Sequence, residues 1–131
     1  MPHFNVTAQE RKDGSIELVG GKKVSLPRNS GAHTFTFQLN DGGLGVEWRD
    51  PDDGLLVAQD NATDCPPIEN SSTQLDDVKR PNPKLASFRD QNSNRQANMP
   101  VTYALYGKCT ADPVRVVHPF DPIIINGGAG S

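Results

Sequence analysis

Residues 34–40 read TFTFQLN, and the alternation of Phe35, Phe37 and Leu39 with Thr34, Thr36 and Gln38 constrains this chain more than any other feature. Side chains of an extended strand point alternately to opposite faces, so period two marks a strand with one face buried and the other wetted. The same period recurs in FNVTA, with Phe4, Val6 and Ala8 on one face. In PVTYALYG it places Val101, Tyr103 and Leu105 inward and Thr102, Ala104 and Tyr106 outward. Val46 and Trp48 make a short alternating pair, residues 55–57 a short apolar run, and residues 85–88 a weaker candidate. No window of a dozen residues keeps the 3, 4, 7 spacing of a helix, and 11 Pro and 12 Gly punctuate the chain.

These patterns predict an all-β fold: a single Ig-like antiparallel β-sandwich of about seven strands with a long polar middle loop region. At 131 residues one domain with one core is expected, over residues 1–126, followed by a Gly-rich flexible tail at 127–131. Asp13-Gly14 stands where a type I′ hairpin turn joins FNVTAQERK to SIELV, and Gly20-Gly21 separates SIELV from KKVSL in the same manner. Near the end, Val114 and Val116 alternate with Arg115 and Val117, and Pro119 and Pro122 break the run before Ile123 resumes it. A proline cannot donate to a sheet ladder, so Asp121-Pro122 is expected at the start of the last strand or on an edge. Ile123 and Ile125 are expected in the core, Ile124 on a partly covered face, and removal of 127–131 is expected to leave folding intact.

The early Asp-Gly hairpin, the TFTFQL strand, the polar middle, the PVTYALYG strand and the terminal DPIIIN together resemble the small bacterial proteins of the DP-EP family. The resemblance implies a compact Ig-like sandwich without an assigned activity, and it brings no catalytic residues with it. Residues 58–100 form a long segment that departs from it.

Charge and composition narrow the function. The net charge is −3 with both signs interspersed, which lacks the basic stripe of a nucleic-acid binder. No apolar run reaches the roughly 18 residues of a membrane span, and MPHFNVTAQE lacks the basic and apolar regions of a signal peptide. As written the chain reads as cytoplasmic, or as exported if a leader has been removed. His33, Cys109 and His118 follow the ligand order of blue-copper sandwiches, but Met99 precedes the cysteine and His118 follows it at too long a spacing, so no cofactor is expected. Asp50, Asp52 and Asp53 are weak metal candidates, because Asn61 stands where a calcium loop of the EF-hand type needs its last acidic ligand. Turns demand Asp, Pro and Gly for their own reasons, and that reading of 50–54 is preferred.

Cys65 and Cys109 are the only cysteines, and both a bridge and two thiols remain open. Trp48 and Tyr103 are read as core, and Tyr106 as a contact residue. Asn5, Asn61 and Asn70 begin N-x-[ST] sequons, relevant only to a eukaryotic secretory route. Long loops in compact domains often carry function. The expected contact surface is therefore residues 58–100, with Asp76, Asp77, Arg89 and Arg95 beside Tyr106 as its binding candidates. No nucleophile, base and orienter can be assembled. The expected function is a non-catalytic binding or structural module that contacts an unknown protein partner or a second copy, through this segment and an edge strand. The alternative is a secreted carbohydrate- or calcium-binding sandwich.

Overall fold

The computed structural model describes residues 2–21, 23–62 and 70–129. Its strands are β1 (His3–Glu10), β2 (Ile16–Val19), β3 (Val24–Leu26), β4 (His33–Asn40), β5 (Val46–Trp48), β6 (Leu56–Asp60), β7 (Leu75–Asn82), β8 (Leu85–Asp90), β9 (Met99–Leu105), β10 (Gly107–Cys109) and β11 (Ile123–Asn126). The only helical element among the described residues is a 3-10 turn at Pro51–Asp53. Three sheets result, in the orders β2-β1-β4-β8-β7, β3-β11-β9-β6 and β10-β5, arranged as a sandwich rather than a barrel. Two pairings are parallel, β1 with β4 and β11 with β3, so the sheets are mixed rather than purely antiparallel.

Alternation places the core as the sequence predicts. Phe35, Phe37 and Leu39 of β4 are buried, and Val6 and Ala8 join them from β1. Phe37 and Phe88 of the five-stranded sheet meet Tyr103 of the four-stranded sheet at ring-centroid distances of 5.9 and 5.1 Å, which ties the two layers together. Trp48 is fully buried, and its indole N–H donates to the Phe37 carbonyl at 3.1 Å, giving a buried donor its acceptor. On β9 the outer set departs from expectation. Thr102 and Ala104 are buried as well, because β9 runs inside its sheet between β6 and β11.

Four local expectations are corrected along the chain. The β1–β2 hairpin forms, but only Gly14 (φ 87) and not Asp13 takes positive φ. Gly14 N–H donates to the Arg11 carbonyl, which makes a turn over residues 11–14 in place of type I′. Gly20-Gly21 makes no hairpin, since β3 leaves for the other sheet. A Cβ on Gly21 would lie 2.3 Å from the Phe4 ring, so the pair of glycines allows the crossing chain to pass close over an aromatic side chain. Residues 114–117 are not a strand: Arg115 N–H closes a turn onto the Asp112 carbonyl, leaving only a bridge from Val117 to Ile16. Residues 58–100 hold two full strands, β7 and β8, and β8 lies between β4 and β7 within the five-stranded sheet.

The last strand exists, with the opposite face inward. Ile124 and Asn126 have no exposed surface, while Ile123 and Ile125 are half-buried. A triplet of identical apolar residues carries no phase, and a shift of one residue exchanges the two faces of a strand. The tail is held through Ala129. Gly127 N–H donates to Leu26 O (2.9 Å), Gly128 N–H to Asn92 Oδ1 (2.8 Å) and Ala129 N–H to Asn94 O (2.9 Å).

Candidate functional site

One end of the sandwich carries an open cleft of about 400 Å³ lined by Asp13, Gly14, Ser15, Arg115, Val116 and His118. The β1–β2 turn supplies one wall. The other is the 112–118 loop, fastened to the first residue of β2 by Ile16 N–H to Val116 O (2.9 Å) and His118 N–H to Ile16 O (2.8 Å).

Polar side chains in the cleft form a connected chain. Ser15 donates from both its amide (2.9 Å) and its hydroxyl (2.6 Å) to Asp13 Oδ1, and these two bonds hold the Asp13 carboxyl below the usual carboxylate range. With its one hydroxyl proton directed at Asp13, Ser15 Oγ accepts from His118 Nε2 at 3.1 Å. Arg115 crosses the loop, donating from Nε to Gly14 O (2.7 Å) and pairing with the Glu10 carboxylate through Nη2. The order Asp13, Ser15, His118 puts the carboxylate on the hydroxyl. A nucleophilic triad needs it on the far nitrogen of the imidazole, with the imidazole free to take the serine proton.

Apolar surface borders these groups. Val114 is 87% exposed and Val116 58% exposed, the two largest values among the exposed large hydrophobics of the described residues. Both were read from sequence as strand residues, which hid them. Asp13 and Ser15 look like ordinary turn residues, and no pattern in the sequence pairs them with residue 118.

The residues singled out from sequence lie elsewhere and do not converge. On the five-stranded sheet, Asp76 accepts two bonds from Arg89 (3.0 and 3.1 Å), which lowers the Asp76 carboxyl and raises the Arg89 guanidinium. Asp77 has φ 52 and pairs with Lys79 at 3.4 Å. Arg95 is an exposed loop residue whose carbonyl accepts from Arg28 Nη2. Tyr106 is half-buried with the Arg49 guanidinium 5.3 Å from its ring centroid. Asp50 pairs with Arg80 at 2.8 Å, and Asp52 and Asp53 are exposed on the 3-10 turn. His33 Nε2 lies 2.8 Å from Ser30 Oγ. Cys109 is a buried free thiol whose Sγ–H donates to Leu44 O (3.5 Å), and Cys65 lies outside the described residues. Among the described residues no group of three or more His, Cys, Asp or Glu is placed to hold a metal ion, and no helix is long and apolar enough to cross a membrane.

No family model, curated protein or solved structure matches this chain.

Proposed function

We propose that this chain is a non-catalytic binding module that holds a protein partner at the cleft between the β1–β2 turn and the 112–118 loop. The observation that carries the reading is the exposure of Val116 in that cleft and of Val114 two residues before it, since exposed apolar surface rimmed by polar residues marks a contact surface. Arg115, Asp13 and His118 add the polar groups that fix register in such contacts.

Three further features support this surface over an edge strand. Edge strand β7 carries Asp76, Asp77, Lys79, Arg80 and Pro81 with two register shifts, devices that block strand addition. The start of β2 is bridged by Val117. Alongside β6, the amides of Ser71 and Ser72 donate to Ala58 O, which covers that edge. The resemblance to the DP-EP proteins belongs to the same reading, because it brings no activity with it. A sugar platform is less well supported, because Trp48 has no exposed face and Tyr106 lies against Arg49.

Affinity capture from an extract of the source cell tests the proposal with three baits: the natural chain, Val114→Asp with Val116→Asp, and Asp76→Ala with Arg89→Ala. A protein retained by the first and third baits and lost from the second is the expected outcome. Equal retention by all three overturns the surface. Ester hydrolysis by the purified chain that vanishes in Ser15→Ala overturns the non-catalytic reading.

A further inference from the structure

Three buried polar side chains meet at the junction of β8, the 91–98 loop and the end of β11. Asp90 and Asn126 have no exposed surface, and Asn94 is 8% exposed. Asp90 Oδ1 accepts from Asn92 N–H (2.9 Å) and from Asn126 Nδ2 (2.8 Å). Asn94 Nδ2 donates to Gln96 O (2.6 Å) and to Asn126 O (3.4 Å). The remaining oxygens of the three side chains, Asp90 Oδ2, Asn94 Oδ1 and Asn126 Oδ1, are buried without a hydrogen-bond partner.

All three orphans are acceptors. Both amide NH₂ groups are already engaged, and turning the Asn126 amide over would bring its oxygen against Asp90 Oδ1, so no rotation of these amides supplies a donor. Nor does a basic side chain. Asp90 makes no ion pair among the described residues, Arg89 is committed to Asp76, and the carboxylates that act on Asp90, Asp60 and Asp76, are of its own sign. Three unpartnered acceptors in a negative, buried setting are what native structures avoid unless a donor or a cation meets them.

We infer that Asp90, Asn94 and Asn126 form a binding site for a hard cation of the calcium class. A carboxylate and two amide carbonyls are hard oxygen ligands, suited to calcium and unsuited to the softer metals that select sulfur and imidazole. Calcium tolerates irregular coordination, whereas magnesium demands a compact octahedron and retains its waters. The first two ligands lie in Asp90-Gln91-Asn92-Ser93-Asn94, an Asp-x-Asn-x-Asn spacing, and the third is the closing Asn of DPIIIN. Asn92 takes no part. Its amide is turned away, donating to Pro27 O, Ser30 Oγ and Gly31 O and accepting from Gly128 N–H, and so ties the site's two loops to the β3–β4 connection. The site is separate from the cleft and stands whether or not the cleft holds a protein.

The test is thermal unfolding of the full chain after EDTA treatment, with calcium chloride or magnesium chloride added at neutral pH. A melting temperature that rises saturably with calcium, rises less with magnesium and returns on chelation is expected, since a ligand of the folded state stabilises by mass action. Asp90→Asn, which keeps the shape and supplies an amide donor, should raise the melting temperature without calcium and abolish the calcium response. Asn94→Ala, at the least buried ligand, should weaken apparent calcium affinity about tenfold or more. Should both variants fail to fold, terbium luminescence on the natural chain reads the same site. Tyr103 packs edge-on against Phe88, two residues before Asp90, at a ring-centroid distance of 5.1 Å, so terbium emission excited through tyrosine should fall as calcium is added and be lost in Tyr103→Phe. A melting temperature indifferent to calcium overturns the inference, including the case in which acidification alone raises it, because a proton on Asp90 would then be the positive partner.

Discussion

Ile124 has no exposed surface, and its neighbours Ile123 and Ile125 are half-buried on the reverse of the strand. Removing buried methyl groups costs their transfer free energy plus the cavity left behind. Ile124→Ala is therefore expected to cost about 2–5 kcal/mol, and Ile123→Ala and Ile125→Ala each distinctly less. Urea denaturation of the three variants checks the order, and a larger midpoint shift in Ile125→Ala than in Ile124→Ala would reverse the assignment of faces. Asp41 offers a second test at this scale. It accepts from Lys84 Nζ and from the amides of Gly43 and Gly45, and these bonds, the lysine first, hold its carboxyl below the ordinary value. A carboxyl depressed in the folded state stabilises above its unfolded value, near 4, and loses that contribution as pH falls through the folded value. The stability difference between the natural chain and Asp41→Asn should thus be open at neutral pH and narrow progressively as pH falls below the unfolded value. A gap that persists unchanged at low pH would mean that the charge of Asp41 contributes nothing.

Elements depend on partners far along the chain. Strand β11 lies between β9 and β3, and the residues after it continue the join: Gly127 N–H meets Leu26 O, and a Cβ at Gly127 would stand 2.4 Å from that oxygen and from Arg28 N. Truncation after Asn126 removes three hydrogen bonds donated by residues 127–129 and two accepted by Gly127 O and Gly128 O from Arg28 Nη1 and Asn29 N–H, each worth about 0.5–1.5 kcal/mol, so a loss of about 3–7 kcal/mol is expected. Gly127→Ala should also destabilise, since the atoms in the way are backbone of residues 26–28 and cannot give way. Guanidinium denaturation of both variants is the check, and a truncated chain as stable as the full one would restore the reading of 127–131 as a free tail. The strands themselves were largely legible. β1, β2, β4 and β9 follow from alternation and turn residues, and β8 was visible only as a weak apolar run at residues 85–88 because Arg89 and Asp90 close it with charge. Neither the cleft nor the acceptor cluster was legible. Each brings together residues about a hundred or about thirty positions apart, which no local period records, although the Asp-x-Asn-x-Asn spacing at 90–94 was there to be seen.

For the whole molecule, the parallel pairings matter most. β1 with β4 and β11 with β3 join segments that no hairpin connects, and β3 and β11 are separated by most of the chain. Loop closure must precede the gain from such contacts, so refolding in the range of milliseconds to seconds is expected, as for other proteins dominated by distant pairings. Stopped-flow fluorescence of the buried Trp48 gives the rate, and completion within microseconds would contradict this topology. What the sequence by itself determined was the all-β class, the inward set Val6, Phe35, Phe37, Val101, Tyr103 and Leu105, and the presence of a terminal strand, because side-chain alternation is a property of the single strand and needs no neighbour. Tertiary structure alone decided which face of IIIN turns inward, where the glycines at 20 and 21 send the chain, that the 127–129 backbone is bound, and that Val114 and Val116 stand exposed. The reason is physical: phase, strand order and polar satisfaction are settled by the partner across the gap, and Asn126 takes a core position because Asp90, thirty-six residues earlier, accepts its amide proton.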